Sequence, residues 1–217
     1  MSNIIIILDE SSSMQIMNNE PVDSINSFVK EQNNLEKKIT LWKFNNRVEK
    51  VWNAIPINQV ENFKEYQPTG MTALYDAIGM AIEDKNFTID TICLIITDGF
   101  ENSSQKYTHN IIKKQIKSME KVNNWSFLYF GATEQIIKQG INLGLKQDHC
   151  VNFTQGNLVK LMHTLSEDIN SSDAPVNISL KKYNSCPNNY FEEDEELIKK
   201  QQLAKPPQLR RQNTDIF

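Results

Sequence analysis

The chain alternates between short apolar runs and longer segments whose apolar residues recur every three or four positions. Ile4-Ile5-Ile6-Ile7-Leu8 is continuous and β-branched, the pattern of a strand buried on both faces. It ends abruptly at Asp9, followed by Glu10-Ser11-Ser12-Ser13. Val22, Ile25, Phe28 and Val29 share one face of a helix expected over roughly 20–35. Lys38–Phe44 reads as a strand, with Ile39 and Leu41 on one face and Trp42 and Phe44 on the other. Asn45-Asn46 then turns the chain into a second strand over 47–52, a hairpin. Residues 56–60 read as a loop or short helical turn, and 62–66 fit no single pattern. Pro68-Thr69-Gly70 is a loop, and Thr72 stands where it can cap a helix with Leu74, Ile78, Ala81 and Ile82 on its apolar face. Thr91–Thr97 is a second continuous apolar strand, and it too ends in an acid, Asp98. A helix over 107–123 follows, with Ile111, Ile112, Ile116 and Met119 inward. Trp125–Phe130 is a strand ended by Gly131, 133–140 a helix and 149–153 a short strand. Leu158, Leu161, Met162 and Leu165 form one face of a last helix over 158–169.

Strands alternating with helices through short connections predict an α/β fold: a doubly wound, mostly parallel, Rossmann-like sheet with one antiparallel edge strand from the hairpin. This domain is expected to span residues 1–170. From 171 to 217 the periodicity dissolves. Ser171–Pro175 is linker-like, 177–182 has weak strand character, and Glu192-Glu193-Asp194-Glu195-Glu196 is an acid block that a short helix across 192–203 could carry. Residues 204–212 are basic and contain Pro206 and Pro207. With few large apolar residues to bury, this segment is expected to be a flexible tail.

Composition narrows the classes. At 217 residues and 39% hydrophobic content, the chain can build one full core plus an appendage. No apolar run approaches the roughly 20 residues of a membrane helix, and the start lacks a basic segment ahead of its apolar run. A cytoplasmic protein without membrane partners is the expectation. Cys93, Cys150 and Cys186 are too scattered for a disulfide framework or a zinc site. A net charge of −4 argues against nucleic acid as the main partner. Asn, Ile and Lys are abundant while Arg is confined to Arg47, Arg210 and Arg211, a bias like that of AT-rich coding sequence, so isolated Asn residues are weak turn signals. His109, His149 and His163 are dispersed and read as surface or packing residues.

The candidate chemistry lies at the two strand ends. Asp9, Ser11 and Ser13 occupy alternate positions just past the first strand, at the sheet edge where open α/β folds bind ligands. A carboxylate and two hydroxyls are hard oxygen donors, suited to a hard divalent cation. A Ser-rich turn that caps the next helix is the simpler reading of those residues alone. Asp98 changes the balance, because a second buried strand delivers a second acid to the same edge. Glu10 and Ser12 alternate away from this point. Asp76 reads as an exposed carboxylate or one standing behind the ligands, and Asn102 as a residue that holds the loop after Asp98.

Asp9-x-Ser11-x-Ser13, then Gly70-Met71-Thr72, then Thr97-Asp98-Gly99 resembles the von Willebrand factor A (VWA) family, whose metal-ion-dependent adhesion site has the pattern Asp-x-Ser-x-Ser, a distant Thr and a distant Asp. Ala73–Ile78 is similar to the helix of many microbial and viral members, which implies an intracellular member of that type, and Leu41–Asn45 and Trp125–Gly131 are similar to the family's second strand and a later core strand. The resemblance covers about 1–170 and leaves the tail unmatched. It implies that Asp9, Ser11, Ser13, Thr72 and Asp98 hold Mg²⁺, or Mn²⁺ or Ca²⁺ in its place. Ser11 and Ser13 would bind directly, Thr72 directly or through water, and the two acids mainly through water or one of them directly. It further implies a non-enzymatic, metal-dependent protein-binding module, with a partner's Asp or Glu completing the coordination.

Two other functions compete. A strand-end Asp9 could serve a Mg²⁺-dependent phosphotransfer enzyme or phosphatase. The Asp-x-Asp loop of such hydrolases is absent, however, since position 11 is Ser, and there is no Gly-rich phosphate loop or Gly-x-Ser-x-Gly elbow. Alternatively, the Glu192–Glu196 block could bind basic partners or fold back onto the metal site as a tethered acid.

Overall fold

The computed structural model describes residues 3–33, 37–84, 90–171 and 178–183. The acid block and the basic end of the tail, residues 192–196 and 204–212, lie outside the described residues.

The two apolar runs form the centre of a six-stranded sheet. Strand β1 is Asn3–Asp9, β2 Lys38–Phe44, β3 Val48–Pro56, β4 Thr91–Thr97, β5 Trp125–Gly131 and β6 Cys150–Asn152. Their order across the sheet is β3-β2-β1-β4-β5-β6. Every neighbouring pair is parallel except β2 and β3, the hairpin, which are antiparallel at one edge. The expected architecture is the observed one. Helices α1 (Glu20–Glu31), α2 (Leu74–Ile82), α3 (His109–Val122), α4 (Glu134–Asn142) and α5 (Leu158–Ser171) connect and cover the strands.

Alternation along β1 divides the core. Ile4, Ile6 and Leu8 face one layer with Ile25 and Phe28 of α1 and Leu158, Leu161 and Leu165 of α5. Ile5 and Ile7 face the other layer with Leu74 and Ile78 of α2, Ile112 and Ile116 of α3 and Ile136 of α4. A strand that packs helices on both faces cannot alternate apolar with polar, which is why its sequence is an unbroken apolar run.

Some local expectations needed correction. Helix α1 is shorter than the expected 20–35 and is preceded by a 3₁₀ turn over Ser12–Met17. Strand β3 runs past 52 to Pro56. It does so through a register shift near Leu41, where Ala54 takes a φ of 50° and its N–H donates to the Thr40 hydroxyl at 2.9 Å. Ile111 is 43% exposed rather than inward. Adjacent helical positions are about 100° apart, and Ile112 and Ile116 already take the inward stripe of α3. Ile178 and Leu180, past the expected boundary at 170, are buried in the first core layer. The chain there makes a 3₁₀ turn over Leu180–Tyr183, where weak strand character was expected. Among the described residues no helix is long and apolar enough to cross a membrane.

The connections place the site. From β1 the chain passes through α1 to β2 on one side, and from β4 it passes through α3 to β5 on the other. The sheet therefore changes direction between β1 and β4, and the loops leaving their carboxyl ends must part, opening a crevice. Asp9 and Asp98 leave the sheet at that point.

Candidate functional site

Three loops meet over the crevice, and the backbone stitches them together. The first, Asp9–Ser13, is joined to the second, Gln67–Thr72, where the Thr69 N–H donates to the Glu10 carbonyl at 2.8 Å and the Ser12 N–H to the Gly70 carbonyl at 3.1 Å. The second is joined to the third, Asp98–Ser103, through Thr72 and Asn102. The Thr72 N–H donates to Asn102 Oδ1 at 2.8 Å and the Asn102 N–H to the Thr72 carbonyl at 3.0 Å. Asn102 thus holds the loop, as the sequence implied. The β2–β3 turn braces the second loop from outside, since Asn46 Oδ1 accepts the Met71 N–H at 2.8 Å. Gly70 is required here: its φ is +77°, and a Cβ would fall 2.1 Å from that Asn46 oxygen.

All five residues expected to hold a metal come together. The hydroxyls of Ser11 and Ser13 are 3.1 Å apart. Ser13 Oγ donates to Asp98 Oδ1 at 2.5 Å. A Cβ built on Gly99 would lie 2.7 Å from Thr72 Oγ1 and 3.4 Å from Asp9 Oδ2, so the Thr72 hydroxyl and the Asp9 carboxylate face the same point. Thr72 does not cap α2: the helix begins at Leu74, its cap position is Ala73, and no side chain caps it there. Its hydroxyl is free of helix duty and turned toward the site. Ser11, Ser13, Thr72 and Asp98 line an open cavity of about 380 Å³, together with Met71 and Phe100. Asp9 is completely buried and does not line the cavity.

Asp9 is held from three sides. Its Oδ1 accepts the Ser11 N–H at 2.7 Å, its Oδ2 accepts the Thr97 hydroxyl at 2.6 Å, and its backbone carbonyl accepts the Tyr66 hydroxyl at 2.9 Å. Burial pushes its pKa up to about 6, against the Thr97 and Ser11 hydrogen bonds, which favour the charged form; the nearby Asp98 charge adds to the rise. Burial also raises Asp98, opposed by the Ser13 hydroxyl. Among the described residues no Lys, Arg or His forms an ion pair with either acid. Two acids close together, one wholly buried, without a cationic side chain, fit a site that takes a cation. No group of three or more His, Cys, Asp or Glu side chains among the described residues is placed to hold a metal. The donors here are hydroxyls and two carboxylates, a set suited to Mg²⁺ or Mn²⁺ rather than to softer ions.

Thr97 and Gly99 were read only as the neighbours of Asp98 in the motif, with no role of their own, and Tyr66 was not singled out from the sequence. For Thr97 a signal existed, a hydroxyl at the end of an otherwise apolar strand, one residue before the acid. Two carboxylates turn out to hold loops. Asp76, expected to be exposed or to stand behind the ligands, accepts the backbone N–H groups of Gln105, Lys106 and Tyr107 at 2.8–2.9 Å. Glu101 accepts those of Tyr75, Ser103 and Ser104 at 2.7–2.9 Å. Together they tie the chain after Asp98 to the start of α2. Glu10, as alternation required, points away from the cavity, accepting the Gln67 N–H at 2.7 Å and pairing with Lys43 at 3.5 Å.

The fold recurs in solved structures. One is a von Willebrand factor type A protein from Catenulispora acidiphila (TM-score 0.58, 13% identity, covering 78% of this chain and 43% of that one). Another is the vWF domain of the type V pili tip protein Mfa5 from Porphyromonas gingivalis (TM-score 0.59, 11% identity, 78% and 95% covered). The fold is that of the von Willebrand factor A domain. A third VWA-like neighbour is the manganese-loaded TRAP protein of Plasmodium vivax (TM-score 0.51, 14% identity, 74% and 71% covered). The chain spans less than half the length of the Catenulispora protein. No protein-family model matches the sequence, and no curated protein matches it. In VWA terms, the crevice between β1 and β4 is the carboxyl edge of the sheet, and all five expected residues stand on it.

Proposed function

We propose that this VWA fold is a non-enzymatic protein-binding module that engages an acidic side chain of its partner through a divalent cation. The observation that carries the reading is the convergence of Ser11, Ser13, Thr72 and Asp98 on one cavity above the buried Asp9, with no cationic side chain paired to either acid among the described residues. Those four side chains would hold the ion, and the manganese in the TRAP neighbour supports a divalent one. When bound, the ion supplies a positive centre that can accept a carboxylate from outside. Ser11 and Ser13 offer neutral oxygens, so the site does not cancel that positive charge at close range. Asp9 contributes its charge from below and, with Thr97 and the Ser11 N–H, keeps the first loop in place. A serine at position 11, where a phosphotransfer loop would carry a second acid, is what favours binding over catalysis.

Titration with Mg²⁺ and Mn²⁺, followed calorimetrically, tests the reading. One ion per chain should bind, with binding lost in Ser11→Ala and Asp98→Ala and retained in Glu61→Ala, an exposed acid outside the cavity. Equal binding in all four proteins overturns the assignment. The partner step is tested by affinity capture with and without EDTA, where equal recovery overturns the metal bridge.

A further inference from the structure

The loop that carries Asp98 has no helix or strand from the end of β4 to Ser104, so side-chain bonds decide where Asp98 stands. Toward the second loop the clamp is Asn102 with Thr72. On the other side it is Gln139 of α4. Gln139 Oε1 accepts the Glu101 N–H at 2.9 Å, while its Nε2 lies 3.3 Å from the Gly99 carbonyl and 3.1 Å from the Tyr129 hydroxyl. Tyr129 is fully buried on β5. The amide is thus anchored on the sheet and on its own helix, and it grips the loop on both sides of Phe100.

The partners fix which way the amide faces. A backbone N–H needs an acceptor and a carbonyl needs a donor, so Oε1 meets Glu101 and Nε2 meets Gly99. The Thr97 hydroxyl is equally near the Gly99 carbonyl, at 3.3 Å, but its one proton goes to Asp9 Oδ2 at 2.6 Å. Glutamate, of the same shape as glutamine, would keep the acceptor for Glu101 and lose the donor for Gly99. Gln139 also lines a cavity of about 420 Å³ with Tyr75, Phe100 and His109, so a side chain of equal size can replace it without overpacking the core.

We propose that Gln139 is a positioning residue for the cation site, touching no metal and acting through Asp98, a role that rests on the metal-binding reading of the site. By holding Gly99 and Glu101 it fixes the backbone immediately after Asp98, and with it the Asp98 carboxylate, whose Oδ1 accepts the Ser13 hydroxyl at 2.5 Å. Helix α4 is thereby coupled to the site, although none of its residues lines the metal cavity. Mg²⁺ demands near-ideal octahedral geometry, whereas Ca²⁺ accepts flexible coordination, so loosening the Asp98 loop costs Mg²⁺ more than Ca²⁺.

Calorimetric titration of the full chain with Mg²⁺ and with Ca²⁺, and hydrogen exchange of the Glu101 amide in EDTA, test the role. Gln139→Met keeps the length of the side chain and removes its hydrogen bonds. It should bind Mg²⁺ roughly tenfold or more weakly, as for other groups that orient metal ligands, lose less for Ca²⁺, and exchange the Glu101 amide faster. Gln139→Glu keeps the acceptor, so the Glu101 amide should stay protected and the ratio of Mg²⁺ to Ca²⁺ affinity should fall between the two. Gln32→Met is the control for stability alone. That buried amide bonds the Phe28 carbonyl and the Ser166 hydroxyl, joining α1 to α5, and its loss should lower the urea midpoint while leaving the ratio intact. An unchanged ratio in Gln139→Met, an equal change in Gln32→Met, or a Glu101 amide that exchanges no faster in Gln139→Met overturns the positioning role. Should Gln139→Met not fold, an unchanged ratio in Gln139→Glu overturns it. If the unaltered protein binds neither ion, the metal reading itself fails and the positioning role falls with it.

Discussion

Gly99→Ala probes the proposed metal site without deleting any proposed donor. The backbone at Gly99 is outside the left-handed region, so alanine meets no conformational strain there. The new Cβ meets side chains instead. It would stand 2.7 Å from Thr72 Oγ1 and 3.4 Å from both Thr72 Cγ2 and Asp9 Oδ2, and real Cβ atoms essentially never come within 3.0 Å of another heavy atom. At least a few tenths of an ångström must open. Thr72 is 3% exposed and its backbone is bonded in both directions to Asn102, so it has little room to yield. Overpacking of this kind costs about 1–3 kcal/mol of stability. Metal binding should suffer further, because Mg²⁺ demands near-ideal geometry at about 2.0–2.1 Å, and displacing groups that orient ligands costs roughly 10–100-fold in affinity. Calorimetric titration with Mg²⁺ should therefore show affinity lower by that factor, and urea denaturation in EDTA should show the smaller stability loss. A Gly99→Ala protein that binds Mg²⁺ as tightly as the unaltered one would show that the Thr72 hydroxyl is not at the site.

Three other predictions follow from packing and charge. Asp76→Ala removes the acceptor of three backbone N–H groups, and stability should fall by about 1–3 kcal/mol in urea, with Asp76→Asn intermediate; no change would mean the 105–107 loop is held by other groups. Gly79→Ala would ordinarily stabilise a helix by about 1 kcal/mol, but here the Cβ would lie 2.6 Å from three carbons of the Tyr107 ring, so a net loss of roughly 1–2 kcal/mol is expected, and a raised melting temperature would contradict the packing. Burial holds the buried His149 below the usual histidine range, with Nδ1 3.1 Å from the Phe127 carbonyl. The unfolded chain then takes up a proton that the folded one resists, so His149 lowers stability as pH falls below about 6.5. His149→Asn should flatten the fall in melting temperature between neutral and mildly acidic pH, and an unchanged slope would refute the assignment.

Much of this molecule could be read from local patterns. The unbroken runs Ile4–Leu8 and Thr91–Thr97 are central strands because helices pack on both faces, and burial on both faces leaves no polar alternation. The acids that end those runs had to emerge at one edge, because the strands are parallel. Asp9, Ser11, Ser13, Thr72 and Asp98 were singled out as one set through the resemblance to the VWA family. Ile111 was misjudged because a window of adjacent apolar residues does not say how wide the buried stripe is, and the packing of α3 on the sheet decides that. Thr72 read equally well as a helix cap, and only the start of α2 at Leu74 released its hydroxyl. The clearance of Thr72 over Gly99, the clamps of Asp76 and Glu101, and the cavity behind Phe100 have no sequence signature, and the hydroxyl at Thr97 did not say that Asp9 is its partner. Each joins loops separated by tens of residues, and past the end of a strand no periodicity fixes where a side chain points. The sheet brings those loops to one crevice, and the hydrogen bonds between them set the rest.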